Sequence, residues 1–186
     1  MTKRDKSKIA TKNRIRKSAL KLFSENGYFQ TSIADIALKA NISKGSFYHY
    51  YKSKEEIFDE IVKETIDIIL LNFDIKKNLD NDGLNFLIQR IIKSLNNETL
   101  QWNFLLLLLS QKNLGQVASE YLINNPIYIN YIKKLQEYLK MKKYINHEIE
   151  TKLFTTSLLG VCIQYTINPD SFPLKKMLTQ CKDRFV

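Results

Sequence analysis

Three features of this 186-residue sequence predict an all-α fold. Gly and Pro are few, 5 and 3 respectively, while Leu, Ile and Lys are abundant. Apolar residues recur at i, i+3, i+4 and i+7, the spacing of one helix face. Turn signals such as Asn26-Gly27, Asn96-Asn97 and Asn168-Pro169-Asp170 separate those runs. The chain is long enough to bury a good core as one domain or two small ones. About nine helices are expected.

Residues 1–8, MTKRDKSK, read as a basic arm, either a frayed terminus or an extension that reaches phosphates or a minor groove. Ile15, Ala19, Leu22 and Phe23 predict a first amphipathic helix over about 9–25, closed by Asn26 and an αL Gly27. Tyr28-Phe29-Gln30 should pack the joint. Thr31 or Ser32 caps a second helix, with Asp35 in its first turn. Ile33, Ile36, Ala37 and Ala40 lie on one face of that helix. Asn41 tolerates the left-handed conformation that closes it. Ser43 caps a third helix over about Lys44 to Tyr50, with Phe47 and Tyr50 or Tyr51 turned inward. The expected small core is Ile36, Ala40, Ile42, Phe47 and Tyr50.

Two short helices joined by a tight turn form the pattern of a helix-turn-helix, whose second helix enters the DNA major groove. The outer face supports that reading over an ordinary helical hairpin. Lys44, Gly45, Ser46, Tyr48 and His49 are small or hydrogen-bonding and lack the Glu/Lys mixture of a solvated face. Gly45 near a helix start costs about 1 kcal/mol against Ala, so it permits a close backbone approach. Ser43, Ser46, Tyr48, Lys52 and Lys54 are all suitable phosphate donors.

The run SKGSFYHYYKSKEEIFDEI resembles the signature of the TetR family of bacterial transcriptional regulators: Ser-Lys-Gly, an aromatic stretch, then Lys-Ser-Lys-Glu. The resemblance covers about residues 9–64. Asn41 stands where Gly is frequent, and His-Tyr-Tyr follows Tyr48 where Tyr-His-Phe is common. The resemblance implies a DNA-binding domain of three helices over residues 1–54 and a helical regulatory and dimerisation domain over 55–186. It also implies phosphate contacts from Thr31 or Ser32 and a DNA-facing Lys54. The expected DNA contacts are Thr31, Ser32, Ser43, Lys44, Gly45, Ser46, Tyr48, His49, Tyr50 and Lys54. Of these, Gly45, Ser46, Tyr48 and His49 approach base edges.

Ser53 begins the next helix in capping-box style with Glu56. Ile57, Ile61, Ile68 and Phe73 run along it to about Asn72. Residues 74–83, DIKKNLDNDG, read as a polar linker. Leu84, Leu87, Ile88, Ile91, Ile92 and Leu95 predict a helix over about 83–97. Thr99 to Gln111 is apolar all round and reads as a buried central helix, and Gly115 ends that region. Val117 to Tyr144 is a long helical stretch bent or broken at Pro126. Two last helices span about His147–Ile167 and Phe172–Phe185.

By resemblance, these two helices form a four-helix bundle with a second copy. Phe154, Ser157, Leu158, Gly160, Val161, Leu174, Met177 and Leu178 are the expected interface. The body is expected to bind a small hydrophobic effector through Phe86, Trp102, Leu106, Tyr128, Tyr131 and Gln164, releasing a palindromic operator in double-stranded DNA. In an alternative reading, the second half docks a protein partner and takes no small-molecule inducer.

Charge placement favours nucleic acid. Residues 1–54 hold 13 Lys/Arg against 3 Asp/Glu, which equals the whole chain's surplus of +10; the other 16 of each sign cancel. Neutralising phosphates with such a surplus releases counterions and makes affinity salt-dependent. Cys162 and Cys181 form no CxxC and read as small apolar residues of a reducing cytoplasm. No signal peptide or membrane span is visible, so no membrane partner is expected. No P-loop, GxSxG or GxGxxG occurs, and His49 and His147 lack neighbours at metal spacing. An enzyme, a bound metal and a cofactor are therefore not expected.

Overall fold

The computed structural model describes residues 2–75 and 79–185, with the side chain of Asn81 excepted. The part of the predicted 74–83 linker that falls on 76–78 lies outside the described residues. Ten α-helices and one 3-10 turn are present among the described residues: α1 (Lys3–Asn26), α2 (Ile33–Lys39), α3 (Lys44–Phe47), α4 (Lys54–Leu70), the turn Leu71–Phe73, α5 (Asn81–Asn97), α6 (Thr99–Ser110), α7 (Lys112–Ile123), α8 (Pro126–Met141), α9 (His147–Ile167) and α10 (Leu174–Asp183).

The first helix starts six residues earlier than periodicity suggests. Thr2 accepts from the Asp5 backbone at 3.2 Å, and Asp5 accepts from the Thr2 backbone at 2.8 Å. This reciprocal box satisfies N–H groups that a helix start otherwise leaves unpaired. The basic segment is therefore helical from Lys3 onward. At the other end, Gly27 has φ 87° and ψ 159°, a positive-φ conformation outside αL that glycine alone adopts readily. Its N–H still closes the helix on Phe23 O at 3.0 Å.

In the hairpin, Asn41 takes φ 53°, the left-handed conformation expected of it. The third helix is only Lys44–Phe47. Residues 48–50 continue as a tighter turn, with His49 N–H on Ser46 O and Tyr50 N–H on Phe47 O. That extra winding turns Tyr51 inward, where it is buried, and leaves Tyr50 half-buried.

Two apolar clusters build the interior. The first joins Ile15, Phe23, Ile36, Phe47 and Tyr51 of the head to Phe58 of α4 and to Phe104, Leu108, Leu114 and Ala118. Phe104 stacks on Phe23 at 6.4 Å and meets Phe58 edge-on at 5.8 Å. The core thus runs through the sequence position where a domain boundary is expected, and α6 holds head and body together. The second cluster collects α5, α8, α9 and α10 around Leu84, Ile91, Tyr131, Leu135, Phe154, Leu158 and Leu178.

Several elements differ from expectation. Gly115 lies inside α7 rather than ending a region. Pro126 starts α8 as its first residue, where a missing N–H does no harm, and Asn125 caps it. In α6, Trp102, Phe104 and Leu108 are buried, while Leu109 is exposed, so the helix is central without being buried all round. Among the described residues, no helix is long and apolar enough to cross a membrane.

Candidate nucleic-acid interface and regulatory cavity

The hairpin's outer surface is set by its caps. Ser32 accepts from Asp35 N–H at 3.2 Å, and Asp35 accepts in turn from the Ser32 backbone at 2.9 Å and hydroxyl at 2.6 Å. The bonds from the Ser32 side chain and backbone hold the Asp35 carboxyl below its ordinary value. Ser43 caps α3 by accepting from Ser46 N–H at 3.0 Å, and the two hydroxyls lie 2.8 Å apart. Burying Phe47 then leaves Ser43, Lys44, Gly45, Tyr48 and His49 exposed together, with Ser46 half-buried beside them. Tyr48 is 49% exposed and meets Phe47 edge-on at 5.7 Å, which orients the phenol outward. A shallow depression between α2, α3 and the start of α4 brings Ser32, Lys44, Tyr48, Lys52, Ser53 and Lys54 to one surface, with the Glu55 carboxylate at its α4 edge. Such a face offers hydroxyl, ammonium and backbone N–H donors without a carboxylate on α3, the donor set that phosphate oxygens require.

One expected DNA contact, Thr31, is corrected, and Lys54 divides its side chain between the head's interior and the surface depression. Thr31 is 2% exposed and donates its hydroxyl to Gly27 O at 2.8 Å. Its side chain ties the α1–α2 joint and does not face outward. Lys54 directs Nζ to the carbonyls of Tyr28 and Thr31, both at 3.0 Å, and lies 4.3 Å over the Tyr28 ring. The ammonium clamps the start of α4 to the α1–α2 joint. Tyr28 also donates to Glu55 at 3.0 Å; burial and that carboxylate push its hydroxyl up to about 12.

A feature not anticipated from sequence fixes the head on its stem. Glu60, Glu64 and Asp67 fall at i, i+4 and i+7, one face of α4. Lys12 and Arg16 of α1 meet Glu60 at 2.8 and 3.2 Å, and Arg16 meets Glu64 at 2.6 Å. Tyr51 donates to Glu60 at 3.2 Å. Burial pushes the Glu60 carboxyl up, but the bonds from Lys12 and Arg16 outweigh it, and the group sits below its ordinary value.

In the body, a cavity of about 200 Å³ opens between α4, α6, α7, α8 and α9. Ile66, Leu70, Trp102, Leu122, Tyr128 and Tyr131 supply much of its wall, and no charged residue lines it. Tyr131 is fully buried and shares a 3.3 Å hydrogen bond with Thr155. Burial raises the Tyr128 hydroxyl above its ordinary value. Of the expected lining, Trp102, Tyr128 and Tyr131 are present. Phe86 is 64% exposed, under the Arg90 guanidinium at 5.7 Å in a separate surface groove. Gln164 is exposed, and Leu106 is half-buried away from the cavity wall. Helical spacing alone does not say which side of each helix faces the cavity.

The expected interface residues also divide. Phe154, Leu158, Val161, Leu174 and Leu178 are buried inside the protomer, and Phe154 meets Phe185 edge-on at 5.1 Å. Met177 is half-buried against the same cluster. Only Ser157 and Gly160 are exposed. They lie on a face with Ile149, Leu153 and Ile167, also exposed. A Cβ at Gly160 would meet nothing within 4 Å.

Comparison with known proteins places this geometry. A family model described as "Bacterial regulatory proteins, tetR family" matches residues 15–61. The chain is similar to the biofilm operon icaADBC negative transcriptional regulator IcaR of Staphylococcus epidermidis, 42% identical over 77 residues. That match takes in 39% of this chain and 40% of the relative. IcaR of Staphylococcus aureus is 40% identical over the same length. The chain therefore covers about 40% of the length of the curated relatives it matches. Among solved structures, the fold is similar to that of the fatty acid degradation regulator FadR from Bacillus halodurans. The TM-score is 0.76 at 18% identity, over 94% of each chain. SmeT, the repressor of a Stenotrophomonas maltophilia multidrug efflux pump, gives a TM-score of 0.67 at 16% identity, over 94% of this chain and 87% of that one.

Proposed function

Because the chain belongs to the TetR family of bacterial transcriptional regulators, we propose that it is a homodimeric repressor released from a palindromic operator by a small hydrophobic molecule. The observation that carries the DNA reading is the exposed face of α3, hydrogen-bonding and free of carboxylates, on a head that holds the chain's whole positive surplus. Each subunit lays α3 in one major groove. Half-sites then lie about one helical turn apart or a multiple, ~34–36 Å per turn. Ser32, Ser43, Lys44 and Tyr50 hold phosphates, while Gly45, Ser46, Tyr48 and His49 approach base edges. With no Arg on α3, van der Waals contact and DNA shape carry much of the specificity.

The homodimer reading draws support from the exposed apolar face of α9. Ile149, Leu153 and Ile167 offer area there, and Gly160 admits a close helix. The effector reading draws support from the cavity. Its volume exceeds the ~150 Å³ that holds benzene, and an uncharged wall favours an apolar occupant. Binding changes the separation of the two heads through α4, with a coupling of about 1–3 kcal/mol.

A thermal-shift screen of hydrophobic compounds, run beside operator binding, tests the proposal. Compounds that stabilise the protein and weaken its grip on DNA are expected. If the screen stays silent and a protein partner is recovered instead, the body is a docking module.

A further inference from the structure

We propose that the Asp67 carboxylate is the relay by which cavity occupancy reaches the reading head, a role that rests on the cavity being the effector site. Asp67 accepts from the Tyr121 hydroxyl at 3.0 Å on each of its oxygens, and from Asn125 Nδ2 at 2.8 Å. Three helices meet at this one side chain: α4 through Asp67, α7 through Tyr121, and α8 through its cap Asn125. No Lys or Arg pairs with Asp67 among the ion pairs of the described residues; its hydrogen bonds come from the neutral side chains of Tyr121 and Asn125.

Each member stands beside the cavity wall. Ile66 precedes Asp67 and lines the cavity; Leu122 follows Tyr121 and lines it; Tyr128 lies one turn beyond Asn125 and lines it. An occupant that pushes Leu122 or Tyr128 outward therefore carries Tyr121 or Asn125 with it. Hydrogen bonds of 2.8–3.0 Å lose their strength within about half an ångström of stretch. Asp67 must follow its donors or lose them.

The other end of the same acidic face is fixed to α1. Glu60 and Glu64 are held by Lys12 and Arg16, so α4 and α1 move as one piece. From Lys54 to Asp67 the helix spans about 20 Å at 1.5 Å per residue. A tilt at Asp67 becomes a displacement of the hairpin. Asp67 is thus a positioning residue: it touches neither DNA nor occupant, and its effect is on coupling.

The test fills the cavity from a helix that makes no bond to Asp67. Thr155→Phe adds a ring from α9, and operator affinity is compared with and without Tyr121→Phe, which removes only the hydroxyl. Thr155→Phe alone is expected to shift operator Kd by about five-fold or more. In the Tyr121→Phe background, the same change should move it by less than about two-fold. Equal shifts in both backgrounds would overturn the relay and leave the effector site standing. No shift in either background would overturn the effector reading and the relay with it. If Thr155→Phe does not fold, decan-1-ol replaces it as the occupant. Trp102, the chain's one tryptophan, lies in the cavity wall, so its fluorescence reports entry. The same three outcomes then apply at concentrations that change that fluorescence.

Discussion

Arg16 Nε lies 2.6 Å from Glu64 Oε2, joining the first helix to the fourth across the base of the head. The same guanidinium reaches Glu60 at 3.2 Å, and Lys12 completes the group at 2.8 Å. These side chains are part-exposed, so each pair by itself contributes about 1 kcal/mol or less. Their weight lies in geometry, because they set the angle between the hairpin and its stem.

Acid should loosen this junction. The folded-state pKa of Glu60 is depressed below the ordinary 4.5. Its contribution is therefore present above that value and is lost as pH falls through the folded pKa. Thermal melts are expected to drop between pH 6 and about pH 3.5, and Glu60→Gln should show a smaller drop than the parent. An equal drop in both would remove Glu60 from the account.

Thr31 and Ser32 should separate cleanly despite being neighbours. Ser32→Ala removes a helix cap at a cost of about 1 kcal/mol and removes a surface donor, so both stability and operator affinity fall. Thr31→Val keeps the volume but loses the bond to Gly27 O, also about 1 kcal/mol. Its salt dependence of DNA binding should match the parent. A salt slope reduced by about one would return Thr31 to the phosphate contacts.

Gly27→Ala tests the joint between the first two helices. At φ 87° and ψ 159° a side chain is strained, and its Cβ would lie 3.1 Å from Gln30 Oε1. A loss of about 1–3 kcal/mol is expected, visible as several degrees in the melting temperature. An unchanged melt would show that the joint relaxes to another conformation.

Much of this architecture was legible in the residues, for identifiable reasons. The α9 bounds follow from its cap Asn146 and the Asn168-Pro169 stop, whereas Pro126, read as a bend or break within one long stretch, instead opens α8 as its first residue. The early start of α1 was also written in Thr2 and Asp5, three apart, but apolar periodicity gives no sign of a helix in so polar a segment. The acidic face Glu60, Glu64, Asp67 was visible in spacing; its partners, from α1, α7 and α8, are distant in sequence. The side of α9 that stays exposed was illegible, because apolar and polar residues are spread around that helix and only the fold decides which of them stay outside.

Gly160→Arg examines that outer face. Arg is a better helix former than Gly, so the protomer should not lose stability, while a charge enters the proposed contact. Sedimentation velocity is expected to show monomer in place of dimer. A persistent dimer would move the interface elsewhere.

The most direct measurement is the affinity of the full chain for a duplex covering the palindromes upstream of its own gene, across a series of salt concentrations. The account predicts tight binding that weakens steeply as salt rises, with Lys44→Ala lowering the slope of log K against log salt by about one and Tyr48→Ala weakening binding at every salt. Affinity that is independent of salt, or equal in Lys44→Ala, Tyr48→Ala and the parent, would contradict it.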